Sequence, residues 1–164
     1  MTRIVVMGPS GSGKSLVGAA LAARLGAQFV DGDDLHPRAN VAKMASGTPL
    51  TDADREPWLD AVALVLVRQS PVVVACSALR RAYRDRIRAT CSDAWFAELI
   101  VPSTQLRERM STRDHFMPPA LLDSQLATLE PLATDEAGVR AANDAGLDAV
   151  VTRIATLWEG QSLR

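Results

Sequence analysis

The stretch Gly8-Pro9-Ser10-Gly11-Ser12-Gly13-Lys14-Ser15 fits the pattern G-x-x-x-x-G-K-[ST], and its reading decides the fold. It follows an apolar run at 3–7 and leads into helical spacing at 14–25, the strand, loop and helix context in which such a loop binds phosphate. Glycines let consecutive backbone N–H groups turn inward and line a concave anion nest, where side chains would block the approach. The helix behind the loop adds the positive end of its dipole. Gly8, Ser10, Gly11, Ser12 and Gly13 are therefore expected to cradle nucleotide phosphates. Lys14 is expected to reach the terminal ones, and Ser15 to offer its hydroxyl to the Mg²⁺ that accompanies ATP.

Outward from the loop, apolar runs alternate with segments of helical spacing. Strands are predicted at 3–7, 27–31, 71–76, 95–101 and 139–143, and helices at 14–25, 38–45, 53–68, 81–90, 103–110, 119–129 and 147–158. Asp52, Ser103 and Pro119 supply start signals for three of the helices. This alternation predicts an α/β fold, a parallel sheet flanked by helices. With 164 residues and no linker or repeat, one domain over 1–164 is expected.

Net charge is −1, so the chain lacks the positive field of a non-specific nucleic-acid binder. No apolar run reaches membrane length, and the N-terminus carries no pattern of a secretion signal, so neither nucleic acid nor membrane is an expected partner and the cytoplasm is the expected location. Cys76 and Cys91 match neither a disulfide framework nor a zinc spacing. Charge is uneven along the chain: 76–113 carries eight arginines against four acids, while 31–60 carries seven acids against three bases.

The guanine-reading Asn-Lys-x-Asp of a regulatory GTPase is missing. The third strand, Val72-Val-Val-Ala-Cys76, ends without the aspartate of an ATPase motor. The acids instead close the second strand, in Phe29-Val30-Asp31-Gly32-Asp33-Asp34, where the carboxyl ends of such sheets bind ligands. If the strand persists, Asp31 and Asp33 face the same side. Asp33 is then placed to orient an attacking hydroxyl, and Asp31 to meet Mg²⁺ through a water.

Further residues carry a resemblance. Asp31-Gly-Asp-Asp-Leu-His-Pro37, the run Asn40-Val-Ala-Lys-Met44-Ala-Ser-Gly-Thr-Pro-Leu-Thr-Asp-Ala-Asp-Arg55-Glu-Pro-Trp58, Cys76-Ser-Ala-Leu79, Tyr83-Arg84-Asp85, His115-Phe-Met-Pro118 and Ser124-Gln125 stand in the order of the gluconate kinase family, and the chain resembles it over most of 4–131. The resemblance implies a P-loop kinase related to shikimate kinase, with sheet order 2-3-1-4-5 and a lid near 109–119. It implies ATP-dependent phosphorylation of D-gluconate to 6-phospho-D-gluconate. The small molecules ATP and gluconate are then the partners, and a homodimer is compatible with it.

On that resemblance Asp33, His36, Arg55, Arg84 and Gln125 hold the substrate, with Arg55 a fork for its carboxylate. Arg109 and Arg113 belong to the lid. Arg113 joins Lys14 and Asp33 in catalysis, because phosphoryl transfer spreads charge over oxygens that a cation can stabilise. Asp114 departs from the family's glycine before the lid histidine, and 133–143 is only loosely similar. A kinase of another small polyol or hydroxy acid such as shikimate is the nearest alternative. Cys76-Ser-Ala-Leu79 replaces the glycine cluster of shikimate kinases and argues against that acid. A non-catalytic nucleotide-binding module is disfavoured because the acceptor-side Asp33 is present.

Overall fold

The computed structural model describes residues 1–112 and 120–162. Strand β1 (Arg3–Met7) is apolar without alternation, and Ile4, Val5, Val6 and Met7 are all fully buried, as a strand covered on both faces must be. It lies at the centre of a five-stranded sheet with β2 (Gln28–Asp31), β3 (Val72–Ala75), β4 (Trp95–Ile100) and β5 (Gly138–Ala142). All pairings are parallel and the order is β2-β3-β1-β4-β5, the order the family resemblance implies.

Seven helices are described: α1 (Lys14–Leu25), α2 (Arg38–Ala45), α3 (Asp52–Arg68), α4 (Arg81–Thr90), α5 (Ser103–Thr112), α6 (Ala120–Thr128) and α7 (Leu147–Ser162). Successive residues of β1 point to opposite faces. Ile4 and Val6 pack with Val17 and Leu21 of α1 and Ile154 of α7. Val5 and Met7 pack with Leu59 and Val62 of α3 and Ile87 of α4. The sheet is therefore the middle of three layers, and the loops beyond its carboxyl edge gather at one rim. Among the described residues, no helix is long and apolar enough to cross a membrane.

β1, α1, α2 and α4 have the bounds read from the sequence, the other elements differ by at most four residues at an end, and two differences matter. Helix α3 is capped by Thr51, not Asp52: Thr51 Oγ1 accepts the Asp54 N–H at 3.1 Å, and Asp54 Oδ2 accepts the Thr51 N–H at 2.9 Å. The second difference lies at the end of β2. The strand does not persist to Asp33, because Gly32–Leu35 forms a turn of 3₁₀ helix capped by Asp31, whose Oδ1 accepts the Asp33 N–H at 3.0 Å. Gly32 is packed against the Ala75 carbonyl so closely that a Cβ would collide with it. Asp31 and Asp33 therefore do not share a strand face.

Candidate active site

The glycine loop leaves β1 and enters α1 as a backbone cradle. Gly13 has φ 93°, and a Cβ there would come within 2.7 Å of Asn143 Nδ2. The same Asn143 nitrogen donates to the Ser12 carbonyl at 2.8 Å. Arg109 Nη1 donates to the Gly11 carbonyl at 2.9 Å, and Gln125 Oε1 accepts the Ser10 N–H at 2.7 Å. Three side chains distant in sequence thus hold the loop by its backbone, leaving the concave side lined by Gly11, Gly13 and Lys14. Lys14 Nζ donates to the Pro9 carbonyl at 3.0 Å. Burial pushes its ammonium below the usual lysine value, while Asp33, Cys76 and Asp31 act in the opposite direction. Ser15 Oγ donates to Asp31 Oδ2 at 2.7 Å, which puts a hydroxyl and a carboxylate oxygen together at the start of α1.

The cradle forms one side of a solvent-open cleft with about 930 Å³ of empty space, whose other walls include Asp33, His36, Arg55, Trp58, Ser77, Leu79 and Gln125. Arg55 and Trp58 are three apart on α3 and so present to the same side. Arg55 Nη1 donates to the Leu50 carbonyl at 2.6 Å and to Tyr83 Oη at 3.1 Å. The Tyr83 hydroxyl donates in turn to Asp52 Oδ1 at 2.5 Å. Burial, then that carboxylate, raises the Tyr83 phenol, which therefore stays protonated and keeps donating. Trp58 is 2% exposed and donates its indole N–H to the Gly32 carbonyl at 2.7 Å, tying α3 to the turn that carries Asp33. His36 stacks on Trp58 with ring centroids 4.1 Å apart. Burial, aided by the Arg55 charge, pushes its imidazole down to about 4, so it is neutral in ordinary buffers.

The third wall is the segment after β3. Ala78 takes φ 43°, a left-handed conformation that costs a residue with a Cβ about 1–2 kcal/mol. It is held by its neighbours: Gly8 N–H donates to the Ser77 carbonyl at 3.3 Å, Glu130 N–H to the Leu79 carbonyl at 2.7 Å, and Arg84 Nη1 to the Ala78 carbonyl at 3.0 Å. Here the sequence expectation for Arg84 is corrected. Arg84 is 0% exposed and does not line the cleft. Its Nε and Nη2 fork onto Glu136 at 2.7 Å each, and Nη1 also donates to the Glu130 carbonyl at 3.1 Å. All of its forked geometry is spent inside the protein, so it supports the wall instead of binding substrate.

Asp33, His36, Arg55 and Gln125 are brought together on the cleft, and Arg109 reaches the cradle from α5. Arg113 and the 113–119 part of the expected lid lie outside the described residues. A second hollow, lined by Gly13, Leu16, Gln105, Arg109, Asn143 and Leu147, adjoins the far side of the loop. Sequence reasoning missed Trp58 as a wall of the cleft, and Tyr83 and Asn143 as side chains that hold Arg55 and the glycine loop. The spacing of Arg55 and Trp58 on one helix was a usable signal, whereas nothing local marks Asn143, which lies 131 residues from its Ser12 partner.

Fold and cradle together define the class: a P-loop kinase that works on a small molecule held beside the phosphate site. A family model described as an AAA domain matches residues 4–132. The gluconokinase of Gluconobacter oxydans (strain 621H) is 44% identical over 156 residues, covering 92% of this chain and 88% of that protein. A crystal structure of a gluconokinase from Sinorhizobium meliloti 1021 superposes with TM-score 0.85 at 44% identity, covering 98% of this chain and 97% of the other. A shikimate kinase structure from Bacteroides thetaiotaomicron, 21% identical with TM-score 0.72 over 96% of this chain and 98% of its own, shares the fold. The chain belongs to the gluconokinase family.

Proposed function

We propose that the chain acts as one kinase domain, 1–164, that transfers the γ-phosphoryl group of MgATP to the 6-hydroxyl of D-gluconate, giving 6-phospho-D-gluconate and ADP. The observation that carries this reading is the meeting, on one cleft, of a backbone phosphate cradle with a carboxylate, Asp33, and a guanidinium, Arg55. A sugar acid has a carboxylate at one end and a primary hydroxyl at the other, so a fork at one end and a proton acceptor near the phosphates match both. The 44% identity with a gluconokinase supports the choice of acid.

In this reading Arg55 anchors the substrate carboxylate, Gln125 and His36 flank the polyol chain, and Asp33 orients the 6-hydroxyl towards the phosphorus. Lys14 and the loop N–H groups hold the transferring oxygens. Positioning and charge stabilisation supply most of the rate, since a loose phosphoryl transfer asks little covalent chemistry of the protein. The Ser15 hydroxyl and the Asp31 carboxylate are hard oxygen donors of the kind Mg²⁺ takes, and their oxygens stand 2.7 Å apart at the start of α1 beside the cradle, so the residues fit the ion. The ion would neutralise phosphate charge there. The nucleotide base would lie in the second hollow, between Arg109 and Asn143.

The test is ATP-dependent phosphate transfer to a panel of aldonic acids, polyols and shikimate with identification of the product. Gluconate is expected to be the preferred acceptor and to be phosphorylated at O6. ADP release that is equal with and without gluconate would reject the assignment.

A further inference from the structure

Asn40 lies on α2 and is 3% exposed. Its Nδ2 donates to the Asp54 backbone carbonyl at 2.8 Å and stands 3.2 Å from His36 Nδ1. A backbone carbonyl only accepts, so the amide must turn its NH₂ and not its oxygen towards Asp54. An amide nitrogen has no lone pair to offer. Its second hydrogen can therefore satisfy His36 only if Nδ1 is the bare, accepting nitrogen, which leaves the imidazole proton on Nε2. The ring plane is fixed independently, by the stack on a Trp58 that is itself anchored to Gly32.

We propose that Asn40 is a positioning residue that locks His36 as the neutral Nε2–H tautomer, so that the cleft meets an oxygen of the sugar acid with an uncharged hydrogen-bond donor beside the Arg55 cation. This rests on the sugar-acid reading of the cleft. The surroundings keep the ring uncharged, because burial and Arg55 oppose its protonation. The other charged groups nearby are Asp33 in the same turn and the Lys43–Asp54 pair at 2.8 Å beside Asn40. An aspartate at position 40 would reverse the arrangement. Its carboxylate would draw a proton onto Nδ1, and the neutral ring would then turn a bare nitrogen to the substrate oxygen.

Two measurements test this. The chain has two histidines, His36 and His115, so two-bond ¹H–¹⁵N correlation spectra of the intact protein are simple, and His36→Gln assigns the signals by subtraction. A pyridine-type Nδ1 and a pyrrole-type Nε2 at pH 7.5, with no titration down to pH 5, are expected. A proton on Nδ1, or a ring that titrates near its ordinary value, would overturn the proposal. In Asn40→Asp, KM for gluconate should rise about tenfold at pH 8, the size of one lost hydrogen bond, and fall back towards wild type at pH 6 as the imidazolium restores the Nε2 donor. The KM for ATP should not move. A KM increase independent of pH would mark a merely structural role and also overturn it. Loss of the sugar-acid reading itself would appear separately, as transfer to some other acceptor while the wild-type spectrum still reports the tautomer.

Discussion

The cleft wall around Arg55 and the buried cluster around Glu136 are made from the same groups, guanidinium, carboxylate and backbone carbonyl, yet they end with opposite duties. Arg84 forks onto a carboxylate with both side chains 1% exposed, and Arg88 Nη1 adds a second cation to Glu136 at 2.9 Å. Arg55 is held at one nitrogen by neutral acceptors, and its nearest carboxylate, Asp52, is 3.7 Å away and 64% exposed. A guanidinium whose fork is filled by a buried carboxylate is part of the scaffold. One held by a carbonyl and a phenol at the edge of a cleft retains forked geometry for a ligand. The contrast separates a load on folding from a load on binding, and it can be broken by experiment.

The largest effect is expected on the cleft side. Asp33→Asn should lower kcat by about 10²–10⁴-fold, the usual contribution of a positioned base, while a titration of ATP shows binding retained. Full activity in this variant would remove Asp33 from the chemistry. Arg84→Met should instead cost about 3–5 kcal/mol in urea unfolding, because it strands Glu136 as a buried charge without its main partner. A loss as small as that of a surface pair would show that the cluster carries little.

Arg55→Met should do the converse, raising the KM for gluconate by about 10–100-fold, as loss of a charged hydrogen-bonding partner does, with only a small change in unfolding free energy. Comparable destabilisation by the Arg55 and Arg84 variants would erase the distinction between the two regions. Tyr83→Phe removes the hydroxyl linking Arg55 to Asp52 and should cost about 1 kcal/mol, seen as a change of a few-fold in the same KM.

Acid should separate the regions by pH. Burial raises the Glu136 carboxyl, but hydrogen bonds from Arg84, the Ala133 N–H and Arg88 outweigh it and bring the group down to about 2. The unfolded chain then binds the extra proton first, so this stabilisation is complete above the ordinary glutamate value and is lost as pH falls towards 2. His36 is depressed from 6.5 to about 4, so its share is lost earlier, between those two values. Unfolding measured at pH 7.5, 5.5 and 3.5 should show an early loss that Glu136→Gln retains and a later one that it diminishes, the remainder coming from other hydrogen-bonded carboxylates such as Asp54. A single loss near pH 6 in both proteins would contradict this order.

Much of the site was legible because its signals are local. The P-loop is contiguous backbone, and Arg55 stands in a contiguous motif, whereas Trp58, three residues further along the same helix, is seen on the cleft only in the structure. Alternation on a strand puts Asp31 and Asp33 on one face and does not reveal that Asp31 caps a 3₁₀ turn. Arg84 was misjudged because its motif looks the same whether the side chain faces a ligand or Glu136, 52 residues away. Nothing in the neighbourhood of Asn40 shows that its amide would bridge Asp54 and His36.

By itself the sequence determined the order of strands and helices, the anion cradle at the end of β1 and the family to which the chain belongs. These follow from periodicity, from glycines and from contiguous motifs, all of which act over a few residues. Only the tertiary structure decided which arginine faces the cleft, that Asp31 caps a turn instead of sharing a strand face with Asp33, and that Asn40 reaches both Asp54 and His36. Those outcomes depend on hydrogen-bond partners supplied by distant segments, and a side chain's chemistry is set by the partner it meets once the layers close.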